Sequence, residues 1–178
     1  MIRFFFILFL VALCSCTNNT DLVKSFVRDE IKPNEVISNA EMIHTENGVV
    51  KMILLANKIE NFTDPSPYTV ISRGFKVDFY ENDSSLISTL NAQDAEINYD
   101  DKRMKALTDV SLESQKGNQL KSQELIWDQQ ENLIFTDKKV VIKTSNQIIE
   151  GQGFSSDPSF STYKLNKIFG TMYISNQK

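Results

Sequence analysis

Histidine and cysteine are the scarcest chemistry-bearing residues in this chain. His44 is the only histidine, which excludes a multi-histidine metal site and leaves little room for histidine-based catalysis. The two cysteines, Cys14 and Cys16, are near neighbours, so no disulfide framework can be built from them. Basic residues number 19 against 23 acidic ones, a net charge of −4. Phosphate contacts need clustered Lys and Arg, so nucleic acid is excluded as the main partner. No phosphate loop, nucleophile elbow or metal-ligand spacing occurs. Long apolar runs are missing too, except for one at the start.

That run is Phe4-Phe5-Phe6-Ile7-Leu8-Phe9-Leu10-Val11-Ala12-Leu13, preceded by Arg3. Ten helical residues span only about 15 Å, half of a hydrocarbon core of about 30 Å, so the segment reads as a signal peptide. Leu13-Cys14-Ser15-Cys16 resembles the lipobox of bacterial lipoproteins. In that family the cysteine is diacylated and becomes the first mature residue. Cys16 fits better than Cys14, because small Ser15 rather than bulky Leu13 would precede the cut. The expectation is a signal peptide over 1–15, lipid on Cys16 and a polar tether over 16–35. The mature chain would carry 18 basic and 23 acidic residues, a net of −5. Two or more acyl chains anchor stably to a membrane. No Asp follows Cys16, and which periplasm-facing membrane holds the lipid stays open. Leu22 to Ile31 reads as a weak helical turn or two, stopped by Pro33.

Apolar residues make up 41% of the chain. Without the first fifteen residues the share falls to roughly 37%, adequate for a β-rich domain with a modest core. From Val36 onward the pattern has period two. Val50, Met52, Leu54 and Ala56 alternate with Val49, Lys51, Ile53 and Leu55. Phe75, Val77 and Phe79 alternate with Lys76, Asp78 and Tyr80. Further runs follow through Leu90, Ile97, Met104 and Leu112. Short alternating runs are half-buried antiparallel strands. Polar turn signals separate them: Glu46-Asn47-Gly48, Glu81-Asn82-Asp83, Asp100-Asp101-Lys102, Lys116-Gly117-Asn118 and Thr144-Ser145-Asn146. The fold class is all-β, a sandwich, roll or barrel. Asp64-Pro65-Ser66-Pro67 is a loop.

An internal repeat underlies part of this pattern. Leu90-Asn-Ala-Gln-Asp-Ala-Glu-Ile-Asn-Tyr99-Asp100 is similar to Leu120-Lys-Ser-Gln-Glu-Leu-Ile-Trp127-Asp128. Each leads into a second strand, Asp109 to Leu112 and Lys139 to Ile142. A period of about 30 residues implies one strand-turn-strand unit stacked on itself. These segments, with Arg73-Gly74-Phe75-Lys-Val-Asp-Phe79-Tyr80 and Ile149-Glu-Gly151-Gln-Gly153-Phe154, resemble the strand pattern of the LptC family. The resemblance covers roughly Val36 to Ile174. It implies an OstA-like β-jellyroll, an open, twisted antiparallel roll. It also implies a periplasmic part in lipopolysaccharide export, taking lipopolysaccharide from an inner-membrane ABC transporter and passing it to an LptA-like bridging protein. Well-studied members hold the membrane by an uncleaved N-terminal helix; here the lipobox-like segment would take its place.

The residues themselves point away from catalysis. His44 lies in an alternating stretch, Asp100-Asp101 in a turn signal, and Asp29-Glu30 in a polar patch before Pro33. Gly151-Gln-Gly153 lacks the strand-to-helix context of a nucleotide site and reads as a bulge or a close backbone approach. No cofactor or metal is expected. Acyl chains need an apolar groove. The inner-face candidates are Val50, Met52, Leu54, Phe75, Val77, Phe79, Leu90, Ile97, Leu112, Leu120, Trp127, Val140 and Ile142. A closed core filled by the same side chains is the competing reading. With a net of −5, affinity for lipid A should come from acyl burial more than from charge. By the resemblance, the early strands around Val36 to Ala56 meet the transporter's periplasmic β-domain. The late ones, Ile148 to Ile174, meet the bridging protein, with Gly151, Gly153, Tyr163 and Leu165 marking that edge. The rival functional class is a structural lipoprotein that binds proteins and no lipid.

Overall fold

The computed structural model describes residues 31–63 and 66–173. The signal segment, Cys14, Cys16, most of the tether, the expected helical turn, Asp29-Glu30 and Asp64-Pro65 lie outside the described residues. Ten strands follow one another: β1 Glu35–Glu46, β2 Val49–Phe62, β3 Tyr68–Tyr80, β4 Leu86–Ala92, β5 Asp94–Asn98, β6 Arg103–Ser114, β7 Gln119–Asp128, β8 Leu133–Lys143, β9 Gln147–Ser156 and β10 Tyr163–Tyr173. All belong to one antiparallel sheet in the order β1-β2-β3-β4-β6-β7-β8-β9-β10, with β5 between β3 and β6. Only Gln93 separates β4 from β5. The two share the same neighbours, so they act as one bent strand.

The turns form where the sequence supplies left-handed residues. Asn47 (φ 52°) and Gly48 (φ 80°) make the β1–β2 hairpin, both positions being positive as a twisted two-residue hairpin requires. At the β7–β8 turn Asp128 accepts hydrogen bonds from the backbone N–H groups of Gln130 and Glu131, at 3.0 and 3.1 Å, and from Arg103 Nε at 3.0 Å. The Glu131 N–H, then the Arg103 guanidinium, hold its carboxyl below the usual carboxylate range.

The strands β1, β2, β3, β6, β7, β8 and β9 each bend, and these bends align across the sheet. Register shifts fall between Ala56 and Lys58, Leu107 and Val110, Ser122 and Ile126, and Thr136 and Lys139. Asn39, Arg73, Gly74, Thr108, Asp109 and Gly153 on this line have positive φ. Hydrogen bonds stitch the bends together: Gly74 N–H to the Gln93 carbonyl (2.8 Å), Gln93 N–H to that of Thr108 (3.1 Å), and Asn57 Nδ2 to that of Arg73 (2.7 Å). Extra residues at a bulge reset which side chains face inward. Inner Leu54 and Ala56 give way to Ile59, inner Ala92 to Ala95, and inner Ser122 to Leu125. Without that reset one half of each such strand would turn its apolar residues to solvent.

Bent this way, the sheet closes over its own inner face. Phe79 on β3 and Trp127 on β7 meet edge to face with centroids 5.4 Å apart, although β3 and β7 are not neighbours in the sheet. Ser88 on β4 donates to the Pro158 carbonyl beyond β9 at 2.6 Å. Both contacts cross the interior. Between the layers lies one apolar cluster with Ile71, Val77, Leu112, Leu120 and Ile142 wholly buried.

Candidate functional site: the apolar interior, its mouth and the free edges

The thirteen inner-face candidates fall mostly in that cluster. Leu54, Phe75, Val77, Phe79, Leu90, Leu112, Leu120, Val140 and Ile142 are buried in it, and Met52, Ile97 and Trp127 pack against it. Val50 is half-buried and belongs to neither group. The strands place them by alternation: Leu54 is 4% exposed while its neighbour Leu55, on the outer face, is 41% exposed. Several interior residues are missing from the sequence-based set. Ile59, Ile71, Ala95, Leu125 and Ile134 are as deeply buried as any, and most lie across a bend from the run in which the alternation was read. Phe160 is also missing. It is fully buried although it sits in a loop, at φ 50°.

Apolar side chains that pack against the interior also line a cleft at one rim. The cleft, of about 650 Å³, lies between the β1–β2 and β3–β4 turns on one side and the β7–β8 turn and β9–β10 loop on the other. Met52, Phe79, Ile87 and Trp127 form its apolar wall, and His44, Lys51, Glu81 and Asp157 are among its polar lining. Trp127 Nε1 is buried with no hydrogen-bond partner among the described residues. Such a donor costs free energy until an acceptor reaches it.

The residues weighed for catalysis have ordinary surroundings. His44 is exposed, with Nε2 3.4 Å from Glu46. Asp101 accepts the Arg103 N–H at 3.1 Å within its turn. Among the described residues no three His, Cys, Asp or Glu side chains gather to hold a metal ion.

Among the described residues two strands are unpaired on one side, β1 and β10. Tyr163 and Leu165 lie at the start of β10 and pack against the core. Gly151 and Gly153 are placed differently from the sequence-based expectation of a partner edge. Both lie on β9, which β8 and β10 flank. A Cβ on Gly151 would lie 2.7 Å from the Lys167 carbonyl oxygen, and one on Gly153 2.9 Å from the Asn166 Cβ. Their openness admits the chain's own last strand, and the free edge lies one strand further out. The signal at these glycines was close backbone approach; the sequence does not say whose backbone.

One bent antiparallel sheet of ten strands, wrapped on an apolar interior, defines a β-jellyroll of the OstA type. The family of lipopolysaccharide-assembly, LptC-related proteins matches residues 4–167. The chain therefore belongs to the LptC family, which serves lipopolysaccharide transport at the inner membrane and is not a family of enzymes. No curated protein matches the chain.

Proposed function

We propose that the protein is a lipid-anchored, periplasm-facing carrier of lipopolysaccharide. It takes lipopolysaccharide from the inner-membrane ABC transporter, holds the lipid A acyl chains in the roll and passes them to an LptA-like bridging protein. The observation that supports this reading best is the continuous apolar interior with its cleft at one rim. Each methylene buried there contributes about 0.8 kcal/mol, so acyl burial can supply affinity that an acidic chain does not supply by charge. The anchor on Cys16 rests on the lipobox-like segment.

Leu54 and Leu55 make the sharpest test, since the same side chain faces opposite ways at adjacent positions. A photo-crosslinking residue at Leu54, Met52 or Phe79 should capture lipopolysaccharide in cells. The same residue at Leu55 should not. Equal capture from both faces would sink the interior as the lipid site. Protein adducts from the edges without any glycolipid adduct would favour the protein-binding lipoprotein instead. Acyl labelling should disappear in Cys16→Ala and persist in Cys14→Ala.

A further inference from the structure

Most of the interior cannot be vacated one residue at a time. Val77, Leu112, Leu120 and Ile142 sit on strands paired on both sides, so moving any of them breaks ladder hydrogen bonds. An acyl chain entering a close-packed interior must displace something. Phe160 differs, because it reaches the core from the loop between β9 and β10. Its side chain is 0% exposed, and its ring meets those of Phe154 and Tyr163, each 5.6 Å away. It can leave by loop torsions at the cost of one hydrogen bond, the 3.5 Å bond that Asn118 Nδ2 donates to its carbonyl.

The loop is built largely on itself. Asp157 accepts hydrogen bonds from the hydroxyls of Ser159, Ser161 and Thr162, and its carbonyl takes the Phe160 N–H at 3.1 Å. The short bond from the loop to a strand across the interior is Ser88 Oγ to the Pro158 carbonyl. Phe160 holds a left-handed conformation that side chains other than glycine rarely adopt. Leaving the seat would release that strain. Pro158 and Ser159 also form part of the wall of the cleft, which Phe79 and Trp127 line as well.

We infer that the seat of Phe160 is an acyl subsite, and that the 157–162 loop plugs it when the carrier is empty. The inference rests on the carrier reading above and deepens it. The ligand class is an acylated glycolipid: the end of one acyl chain takes the place of the Phe160 ring, and an ester or amide carbonyl accepts the Trp127 N–H. While the plug is in, the apparent affinity of this subsite is reduced by the fraction of chains in which it is out.

The test uses the full chain in cells, with a photo-crosslinking residue at Tyr163 beside the seat and, in a parallel strain, at Phe79 in the cleft. Ser88→Ala frees the loop from β4 without emptying the seat, and Phe160→Ala removes the plug itself. Capture of lipopolysaccharide at Tyr163 relative to Phe79 should rise about fivefold in either variant. Circular dichroism establishes that each variant is folded; should Phe160→Ala not fold, Ser88→Ala carries the test. Capture at Phe79 with an unchanged ratio in the folded variants would overturn the plug and leave the carrier reading standing. Capture at neither position in any folded variant would overturn both.

Discussion

The two free edges of the roll differ in charge and agree in construction. β1 carries Glu35, Glu41 and Glu46 and no Lys or Arg, while β10 carries Lys164 and Lys167 and no Asp or Glu. Each has one half docked on the core and one half that is not. On β1 the docked residues are Ile37 and Ala40, while Met42 and Ile43 are exposed; on β10 they are Tyr163 and Leu165, while Ile168, Phe169, Met172 and Tyr173 are exposed. Long edge strands with exposed apolar residues recruit other strands unless something blunts them. The comparison teaches that an edge here is two devices in series: a docked half that completes the fold, and an undocked half that offers backbone groups and apolar side chains to a partner by β-augmentation. Under the proposed function, the acidic edge faces the transporter and the basic one the bridging protein.

The largest expected effect comes from attacking the docked half of β10 through its neighbour. Gly153→Arg forces a side chain at φ 71° against Asn166, so it should destabilise the domain by about 3 kcal/mol. Thermal melting followed by circular dichroism checks this. A variant melting like the parent would mean that β10 is not docked as described. In the undocked half, Phe169→Asp with Met172→Asp should leave stability within about 0.5 kcal/mol of the parent. It should weaken capture of the bridging protein about tenfold, a loss typical of a few apolar anchors. Pull-down beside the melting curve separates the two halves. An intact pull-down would move the docking edge away from β10. The smallest effect belongs to charge. Lys164→Glu with Lys167→Glu should weaken the same capture only about threefold, and only at low salt, because exposed ion pairs are worth little and are screened. Stronger capture would show that the partner's edge is basic.

What could be read from the sequence follows from the period of a strand. Where inner and outer residues alternate within a half-strand, as in Gln119–Ser122 and Val140–Lys143, the period is legible, and Leu54, Phe75, Val77, Leu120 and Ile142 could be read as interior positions. The repeat was legible for the same reason. Gln93 and Gln123 occupy equivalent bends, and Ala95 and Leu125 are the first inner residues beyond them. The bends themselves were not legible, because a residue inserted into a strand leaves no trace in composition and reverses the period on its far side. That is why Ile59, Ile71 and Ile134 escaped. Phe160 escaped for another reason: alternation assigns faces to strand residues, and a loop has no faces. At Gly151 and Gly153 the close approach was legible and the approaching strand was not.

The aligned bends have a consequence for the geometry of any conduit built this way. Its bore is set by the number of residues between bend and turn, since that fixes how far each layer reaches over the other. Its length is set by how many strands are laid side by side. The related segments at Leu90–Asp100 and Leu120–Asp128 carry their bends at the same place, so adding such a unit would lengthen the apolar interior without widening it. Caliber and extent are thus written in separate parts of the chain, and a tapered or elongated roll can arise by altering one while the other is kept.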